Sequence, residues 1–244
     1  MATMTSPVIS VTAASGGLGA STLAAALGAA LAKRHGRSIL VDLDLDGGGL
    51  DVTCGVDHLD GLRWPDLAQV RGPVPVGGLV AALPERRGCS VLAAGASRVR
   101  PAEPGPGSAA VDDVLGSLAS SGDPLVLDLP RARLGTLCTA ASPWLLLTGT
   151  RTRELADLDA LVTRMSAVLP ESHLGAVVVV TTGRQPPAAL VAAVEAHLGL
   201  THLAHIARDS SLSPAIERGL WPSSRAFADA ISAVLDWTWR RVVA

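Results

Sequence analysis

The chain has 244 residues, a formal net charge of −2, 48% hydrophobic residues and 17% charged residues. This length is enough to bury a substantial core, and chains of this size are commonly one α/β domain. Every apolar run is shorter than the ~20 residues that a membrane-spanning helix needs, so we expect a soluble protein. The slight net acidity gives no global basic field, so we expect no nucleic-acid partner.

The ends and the cysteines of the chain indicate its compartment. The first ten residues lack the basic start and apolar stretch of a secretory signal, which predicts a cytoplasmic protein. Cys54, Cys89 and Cys138 are widely spaced and form no CxxC pair. Their odd number and spacing indicate neither a disulfide framework nor a zinc site. We expect inert, mostly buried thiols.

The first elements along the chain are a strand, a glycine-rich turn and a helix. Residues 7–12 predict a buried strand that leads into the glycine-rich segment 15–19. Residues 21–34 then predict a helix, because leucines recur every four residues on one face, and Gly36 ends it. A second buried strand is predicted at 38–42.

The rest of the chain continues this alternation. Further strands are predicted at 90–94, 124–128, 144–148, 176–181 and 202–206, and further helices at 108–121, 153–169, 186–198 and 223–240. Alternating strands and helices are typical of a mostly parallel sheet with helices on both faces. We therefore predict a three-layer α/β/α fold with a mostly parallel central sheet.

One domain is predicted for residues 1–244, without internal repeats or a linker. Within it we expect an N-terminal tail at 1–7 and a C-terminal helix at 223–244. The segment 97–108 is rich in proline and glycine, which predicts a flexible surface loop.

The segment after the first strand has features of a phosphate-binding loop. Such a loop needs glycines that let backbone N–H groups approach phosphates, a lysine for the β- and γ-phosphates, and a hydroxyl for Mg²⁺. The pattern G-x-x-x-x-G-K-[ST], aligned on residues 14–21, keeps Gly19 and Ser21. It places Ala14 at the first glycine and Ala20 at the lysine. The backbone features of the loop are retained, but its cation is absent.

Other chemistries fit the sequence less well. Residues 17–22 form an incomplete G-x-G-x-x-G with Thr22 at its last position, so a dinucleotide-binding turn is the alternative interpretation. No G-x-S-x-G elbow is present, which disfavours a Ser-His-Asp hydrolase. The six histidines show neither HxxxH nor HExxH spacing, so no metal other than Mg²⁺ is expected.

Four motifs in chain order resemble the MinD/ParA superfamily. They are SGGLGAST at 15–22, VDLD and GGLD within 41–51, VLDLP at 126–130 and ARDSSLSPAIERG at 207–219. The segment GLRWPDL at 61–67 is similar to the actinobacterial CpaE-like branch, also called septum site-determining (Ssd) proteins and related to TadZ. The resemblance covers residues 8 to 235 approximately, and it implies a P-loop NTPase-like fold.

The resemblance also shows what this chain has lost. In the superfamily a deviant phosphate loop carries one lysine before the Gly-Gly pair and another after the last glycine, and the matching positions are Ser15 and Ala20. Lys33 is the only lysine and lies about three turns along the following helix, too far to replace either. Loss of such a contact lowers rates by roughly 10²–10³, so the resemblance implies very slow or absent ATP hydrolysis.

The site residues follow from the resemblance. Asp44 matches the water-positioning switch acid and is the candidate catalytic residue, although a vestigial role is expected; Asp51 matches a second switch acid. The implied nucleotide-binding residues are Gly16, Gly17, Leu18, Gly19, Ala20, Ser21, Thr22, Asp128, Thr182 and Arg184. The implied Mg²⁺ ligands are Ser21, Asp44 and Asp128. The implied cofactor is ATP or ADP with Mg²⁺, bound weakly or not at all.

Two alternatives remain open at these positions. Asp42 and Asp128 could simply cap neighbouring loops, as an aspartate that ends a buried strand often does. An arginine could also replace the lysine charge, and the candidates are Arg131, Arg133 and Arg151.

The functional hypothesis combines a retained fold with damaged chemistry. We expect a spatial regulator or scaffold for septum placement or for Tad pilus and secretion machinery, acting through protein partners and as a homodimer. The alternative is an active ATP-dependent dimerisation switch that uses substitute residues. Trp237, Trp239, Arg240 and Arg241 at the C-terminus offer weak attachment to the inner face of the membrane, as an alternative to packing in the core.

Overall fold

The computed structural model describes residues 7–45, 47, 49–95, 106–134 and 143–242. Within these residues eight strands form one sheet. They are β1 (Val8–Ala13), β2 (Ser38–Asp42), β3 (Glu85–Arg86), β4 (Cys89–Leu92), β5 (Leu125–Asp128), β6 (Trp144–Thr148), β7 (Val177–Gly183) and β8 (Thr201–Ala207).

Helices and two 3₁₀ turns, at Trp64–Leu67 and Arg131–Arg133, connect these strands. The α-helices are α1 (Ala20–His35), α2 (Leu50–Cys54), α3 (Val76–Ala81), α4 (Ser108–Ala119), α5 (Thr152–Val168), α6 (Glu171–Leu174), α7 (Ala188–Leu198), α8 (Leu212–Glu217) and α9 (Arg225–Val242). Each helix and strand that the sequence predicts is present with both ends within two residues of the prediction. The elements that the sequence did not predict are β3 and the four shortest helices, which are too short to show a periodic pattern.

The strand order of the sheet is β3-β4-β2-β5-β1-β6-β7-β8. Every pairing is parallel except that of β3 with β4, which is antiparallel. The predicted α/β/α fold with a mostly parallel sheet is therefore confirmed. Because β5 lies between β1 and β2, the chain reverses its direction of progress across the sheet there. Ligands of open α/β sheets bind at the carboxyl ends of strands at such a point.

Two apolar clusters cover the opposite faces of the sheet. In β2 every residue is buried, with Ile39 and Val41 in the cluster that includes α4 and α5, and Leu40 in the cluster that includes α1 and α9. This is why the strands are apolar at consecutive positions: both faces exclude water. Burial of each such side chain stabilises the fold by about 1.5–3 kcal/mol.

The C-terminal helix packs on α1 along its apolar face. Phe227, Val234 and Leu235 are buried there. Trp239 stacks on His35 with ring centroids 4.6 Å apart, and the Arg34 guanidinium lies 5.0 Å from the Trp239 centroid. The burial of Phe227, Val234 and Leu235 confirms that this helix packs in the core. Among the described residues no helix combines the length and the apolarity needed to cross a bilayer.

Some of the predicted features lie outside the described residues. Residues 1–6 of the expected tail, residues 97–105 of the expected flexible loop, and Cys138 lie outside the described residues. Cys54 and Cys89 are buried free thiols, as expected, and burial raises the pKa of Cys89 to about 12. All described strands belong to one sheet, and the assignment of residues 1–244 to a single domain stays a prediction.

The fold makes one stability prediction at Trp221, whose side chain is 2% exposed and donates from Nε1 to the Ala25 carbonyl oxygen at 2.9 Å. Trp221→Ala should lower the free energy of unfolding by about 3–5 kcal/mol, because it empties a large volume in the core cluster that includes α1. Urea denaturation measures this. Leu220→Ala is the matched control, since Leu220 is 47% exposed and should change stability by less than about 0.5 kcal/mol. Equal effects of the two substitutions would contradict the packing described.

Candidate functional site

The segment between β1 and α1 has the backbone of a phosphate-binding loop. Gly17 and Gly19 have φ angles of 76° and 91°, in the left-handed region that glycine adopts without strain. Gly19 is the N-cap of α1, and no side chain caps this helix end. The first N–H groups of α1 therefore lack intrahelical acceptors and carry the positive end of the helix dipole. Such an end is suited to binding an anion.

The loop forms one wall of a cavity of about 570 Å³ at the carboxyl ends of β1, β2 and β5. The structure brings together here nine of the residues predicted for the site: Gly16, Gly17, Leu18, Gly19, Ala20, Ser21, Thr22, Asp44 and Asp128. Thr182 and Arg184 line a neighbouring cavity of about 810 Å³. Gly17 and Leu18 line both, so the two cavities adjoin at the loop. The binding roles of these residues stay predictions.

Neither lysine position of the loop presents a cation. The Ser15 hydroxyl donates to Oδ2 of Asp157, on α5, at 2.5 Å. Ala20 contributes only a methyl group, and Lys33 is exposed on α1 away from the cavity lining. Among the described residues that line the phosphate-loop cavity, Arg131 is the single basic one.

Two buried aspartates lie side by side below the loop. Asp42 and Asp128 end adjacent strands and are register partners. Burial, and next the nearby Asp128 carboxyl, raise the pKa of Asp42 to about 8. Burial raises the pKa of Asp128 to about 6, opposed by a hydrogen bond from Ser21 and assisted by Asp44. A carboxyl with a pKa near 8 is mostly protonated at neutral pH, so the site is less anionic than its composition suggests.

The aspartates after β2 differ in where they point. Asp44 is exposed at the cavity, and its Oδ1 accepts the Gly47 N–H at 3.1 Å. Asp51 is 2% exposed and does not line the cavity. Its Oδ1 instead accepts the Val52 N–H at 2.9 Å, at the start of α2. The role of Asp51 as a second switch acid stays a prediction. The Asp42 carboxylate also caps a loop, because its Oδ1 accepts the Asp44 N–H at 2.9 Å.

The fold distinguishes among the three arginines that the sequence offered as substitute cations. Arg131 follows β5 and donates from Nη1 to the Ala14 carbonyl oxygen at 2.9 Å, beside the first residues of the loop. Arg133 lines neither cavity, and Arg151 lines the larger one. The sequence did not show which of these arginines lines the phosphate-loop cavity. The 3₁₀ turn at Arg131–Arg133 after β5 places Arg131 there and leaves Arg133 outside it.

Sequence reasoning missed a residue that supports the site from below. Trp64 is fully buried and donates from Nε1 to the Asp42 carbonyl oxygen at 2.6 Å. It follows Arg63, which is also buried and donates from Nη2 to the carbonyl oxygens of Val56 and Leu59. The motif at 61–67 thus fixes the segment that carries the site aspartates. The available signal was an arginine and a tryptophan side by side between Gly61 and Pro65, but nothing in their spacing pointed to Asp42.

The donor chemistry of the cavity fits Mg²⁺ only together with a phosphate ligand. Ser21, Asp44 and Asp128 offer the hydroxyl and carboxylate oxygens that Mg²⁺ prefers. Nevertheless, no three acidic, histidine or cysteine side chains in the described part of the chain are arranged to hold a metal by themselves. The backbone N–H groups suit phosphate oxygens, whose negative charge no lysine would balance.

Comparison with known proteins places this geometry in a family. Residues 9–222 match the CobQ/CobB/MinD/ParA nucleotide binding domain. Two uncharacterized proteins of Mycobacterium tuberculosis, from strains CDC 1551 and H37Rv, are each 34% identical to the chain over 215 residues. The match covers 87% of this chain but 57% of each of those proteins.

Solved structures show the same fold. A ParA family ATPase from Chlorobium tepidum has a TM-score of 0.74 at 15% identity, covering 97% of this chain and 98% of that one. The septum site-determining protein MinD from Pyrococcus horikoshii, solved with Mg-ADP, has a TM-score of 0.69 at 20% identity, covering 95% of each chain. MinD in the MinC:MinD complex of Aquifex aeolicus has a TM-score of 0.69 at 19% identity, covering 98% of this chain and 97% of that one.

The raised pKa of Asp42 predicts how stability depends on pH. Its ordinary value is 3.8 and its value in the fold is about 8, so folding takes up a proton between these limits. The free energy of unfolding should therefore fall as the pH rises from about 4 to about 8. Asp42→Asn should remove much of this slope and stabilise the chain at pH 8 by on the order of 2 kcal/mol.

Urea denaturation at intervals of roughly one pH unit between about pH 5 and about pH 9 measures this dependence of stability on pH. Asp112→Asn is the control, because Asp112 is exposed on α4, and it should leave the slope unchanged. An unaltered slope in Asp42→Asn would show that this carboxyl is not the proton-binding group.

Proposed function

Because the chain belongs to the CobQ/CobB/MinD/ParA nucleotide binding domain family, we propose that it is a spatial regulator or scaffold with a degenerate phosphate loop. In this role the MinD/ParA-like domain organises other proteins and hydrolyses ATP very slowly or not at all. The observation that carries the proposal is the loop itself, which keeps its glycines and its uncapped helix end while Ser15 and Ala20 occupy the lysine positions.

The hydrogen bond of Ser15 supports an inactive loop. In the superfamily, the lysine before the Gly-Gly pair reaches across a dimer to the nucleotide of the other copy. Ser15 occupies this position here, and its short side chain is bound to Asp157 instead. Electrostatic contacts of the lysine type contribute roughly 10²–10³ each to the rate of phosphoryl transfer. With both contacts missing, Arg131 is the only basic residue among the described residues that line the phosphate-loop cavity.

The motif at 61–67 supports assignment to the CpaE-like, septum site-determining (Ssd) branch related to TadZ. Its Trp64 holds the Asp42 carbonyl oxygen, so this segment is part of the structure that supports the nucleotide site. Septum placement and Tad pilus or secretion machinery are the two settings that follow from this branch. The partner is a protein, and the acting form is a homodimer.

Two further elements of the proposal concern binding and location. ATP or ADP with Mg²⁺ binds weakly or not at all, through Ser21, Asp44 and Asp128 and the loop N–H groups. Attachment to the inner face of the membrane through α9 would need Trp237 and Trp239 to leave their present contacts. Arg241 lies 4.7 Å from the Trp237 ring centroid, and Trp239 is stacked on α1, so α9 in its described position favours the cytoplasmic form.

Steady-state ATP hydrolysis tests the scaffold proposal. We expect the full chain to hydrolyse ATP at no more than a background rate, and Asp44→Asn should leave that rate unchanged. The reason is that a vestigial switch acid positions no attacking water when the loop is inactive. Ser21→Ala should likewise leave the background rate unchanged. Hydrolysis at rates typical of lysine-bearing relatives, abolished by Asp44→Asn, would refute the proposal.

The second candidate is an ATP-dependent dimerisation switch in which Arg131 replaces the lysine charge. Its support is specific: Arg131 lines the phosphate-loop cavity, and its guanidinium is 2.9 Å from the Ala14 carbonyl oxygen. A guanidinium offers several N–H donors to phosphate oxygens, so the substitution is chemically sound.

Gel filtration with and without Mg-ATP separates the two candidates. A switch predicts a shift from monomer to dimer with Mg-ATP that Arg131→Ala and Ser21→Ala both abolish. Arg133→Ala is the matched control, because Arg133 is in the same turn but outside the cavity lining. A scaffold predicts the same elution volume with and without millimolar nucleotide.

A further inference from the structure

The edge strand β8 contains a bulge that brings two histidines to the same face of the sheet. The register of β8 against β7 skips one residue, Leu203. In a regular strand, residues three positions apart point to opposite faces. The extra residue cancels this alternation, so that His202 and His205 both reach Thr181 on β7. Bulges at sheet edges often re-aim side chains in this way.

Both imidazole rings contact one hydroxyl group. Nε2 of His202 lies 2.9 Å from Oγ1 of Thr181, and Nδ1 of His205 lies 3.0 Å from the same oxygen. A hydroxyl has one proton to donate, and a neutral imidazole has one donor and one acceptor nitrogen. The hydroxyl can therefore donate to one ring and accept from the other. When both rings are protonated, the hydroxyl proton has no ring acceptor and two positive charges lie beside one oxygen.

Burial further disfavours protonation of the rings. Nε2 of His205 is buried and has no hydrogen-bond partner among the described residues. A protonated ring carries an N–H at this atom, and a buried donor without an acceptor costs free energy. Burial is the largest cause of a lowered pKa at both histidines. At His205 the nearby His202 lowers the pKa further, and the Gly183 backbone opposes the shift.

Few ionisable groups face the pair from the elements packed against it. Strand β7 has none. Helix α7 has two, of which Glu195 accepts the His202 backbone N–H at 2.8 Å and opposes the lowering of the His202 pKa. The other, His197, pairs with Asp159 on α5 at 3.0 Å. Helix α9 packs on the opposite face of the sheet, and its charged residues are exposed.

Strand β8 depends on these contacts more than an inner strand would, because it ends the strand order and β7 is its only strand neighbour in the described sheet. We propose that Thr181, His202 and His205 form a pH-sensitive latch, which holds β8 to β7 at neutral pH and loosens when the histidines take up protons. The latch goes beyond the scaffold role, because it makes one edge of the sheet respond to acid without any nucleotide.

The direction of the pH effect follows from the lowered pKa values. Such a histidine contributes stability that is present above its ordinary pKa of 6.5 and is lost as the pH falls through its lower pKa in the fold. The effect of Asp42 has the opposite sign, because its protonation favours the fold. A looser β8 at acid pH therefore cannot come from Asp42.

Amide hydrogen exchange of the full chain at about pH 7.5 and about pH 5, expressed as protection factors, tests the latch. We expect the protection of β8 to fall roughly tenfold at the lower pH relative to that of β1 and β5. The double variant His202→Gln, His205→Asn offers uncharged amides to Thr181, so it should show no such fall. His58→Gln is the matched control, because the His58 side chain is 69% exposed, and it should keep the fall.

NMR titration of the histidine rings gives a second measurement on the unchanged chain. We expect the rings of His202 and His205 to titrate below the ordinary value of 6.5, and the signals missing from each single variant identify them. Titration of both rings at or above 6.5 would overturn the inference. So would equal protection of β8 at the two pH values, or an equal fall in the double variant.

Discussion

The parallel pairing of β5 with both β1 and β2 determines which residues meet at the phosphate-loop cavity. It brings the ends of three strands to one edge of the sheet, so that the loop after β1 lies above Asp42 and Asp128. The two carboxyls are neighbours in register and are buried, and the fold accommodates them by raising the pKa of each. The Trp64 hydrogen bond to the Asp42 carbonyl oxygen then fixes this strand end.

Ser15 and Ala20 stand at the two positions that the resemblance assigns to lysines, and neither brings a positive charge to this edge of the sheet. The glycines keep the loop in the conformation that a phosphate requires, and the end of α1 stays uncapped. Protons on the buried carboxyls limit the negative charge below the loop. Positive charge lies at Arg131 and at the arginines that line the adjoining cavity. The family fold is present here, and we propose that it has reduced ATP chemistry.

The fold was predictable from the sequence because continuous apolar strands alternate with amphipathic helices, and each element shows its period over enough residues. Most of the candidate site followed from the loop motif and the resemblance. The surroundings of Asp51 were not predictable, because an aspartate that accepts a backbone N–H within α2 and one that faces a ligand look alike in sequence. The presence of Arg151, Arg184 and Arg208 around one cavity was equally hidden, because it depends on three connections meeting in space.

We propose that the loop lacks the cation needed to hold a nucleotide firmly. Calorimetric titration with Mg-ATP, on the unchanged chain and on Ala20→Lys, measures this. We expect weak or undetectable binding by the unchanged chain and at least tenfold tighter binding by Ala20→Lys, because a lysine adds a charge-assisted contact worth roughly 1.5–3 kcal/mol. Tight binding by the unchanged chain, with no gain in Ala20→Lys, would contradict it.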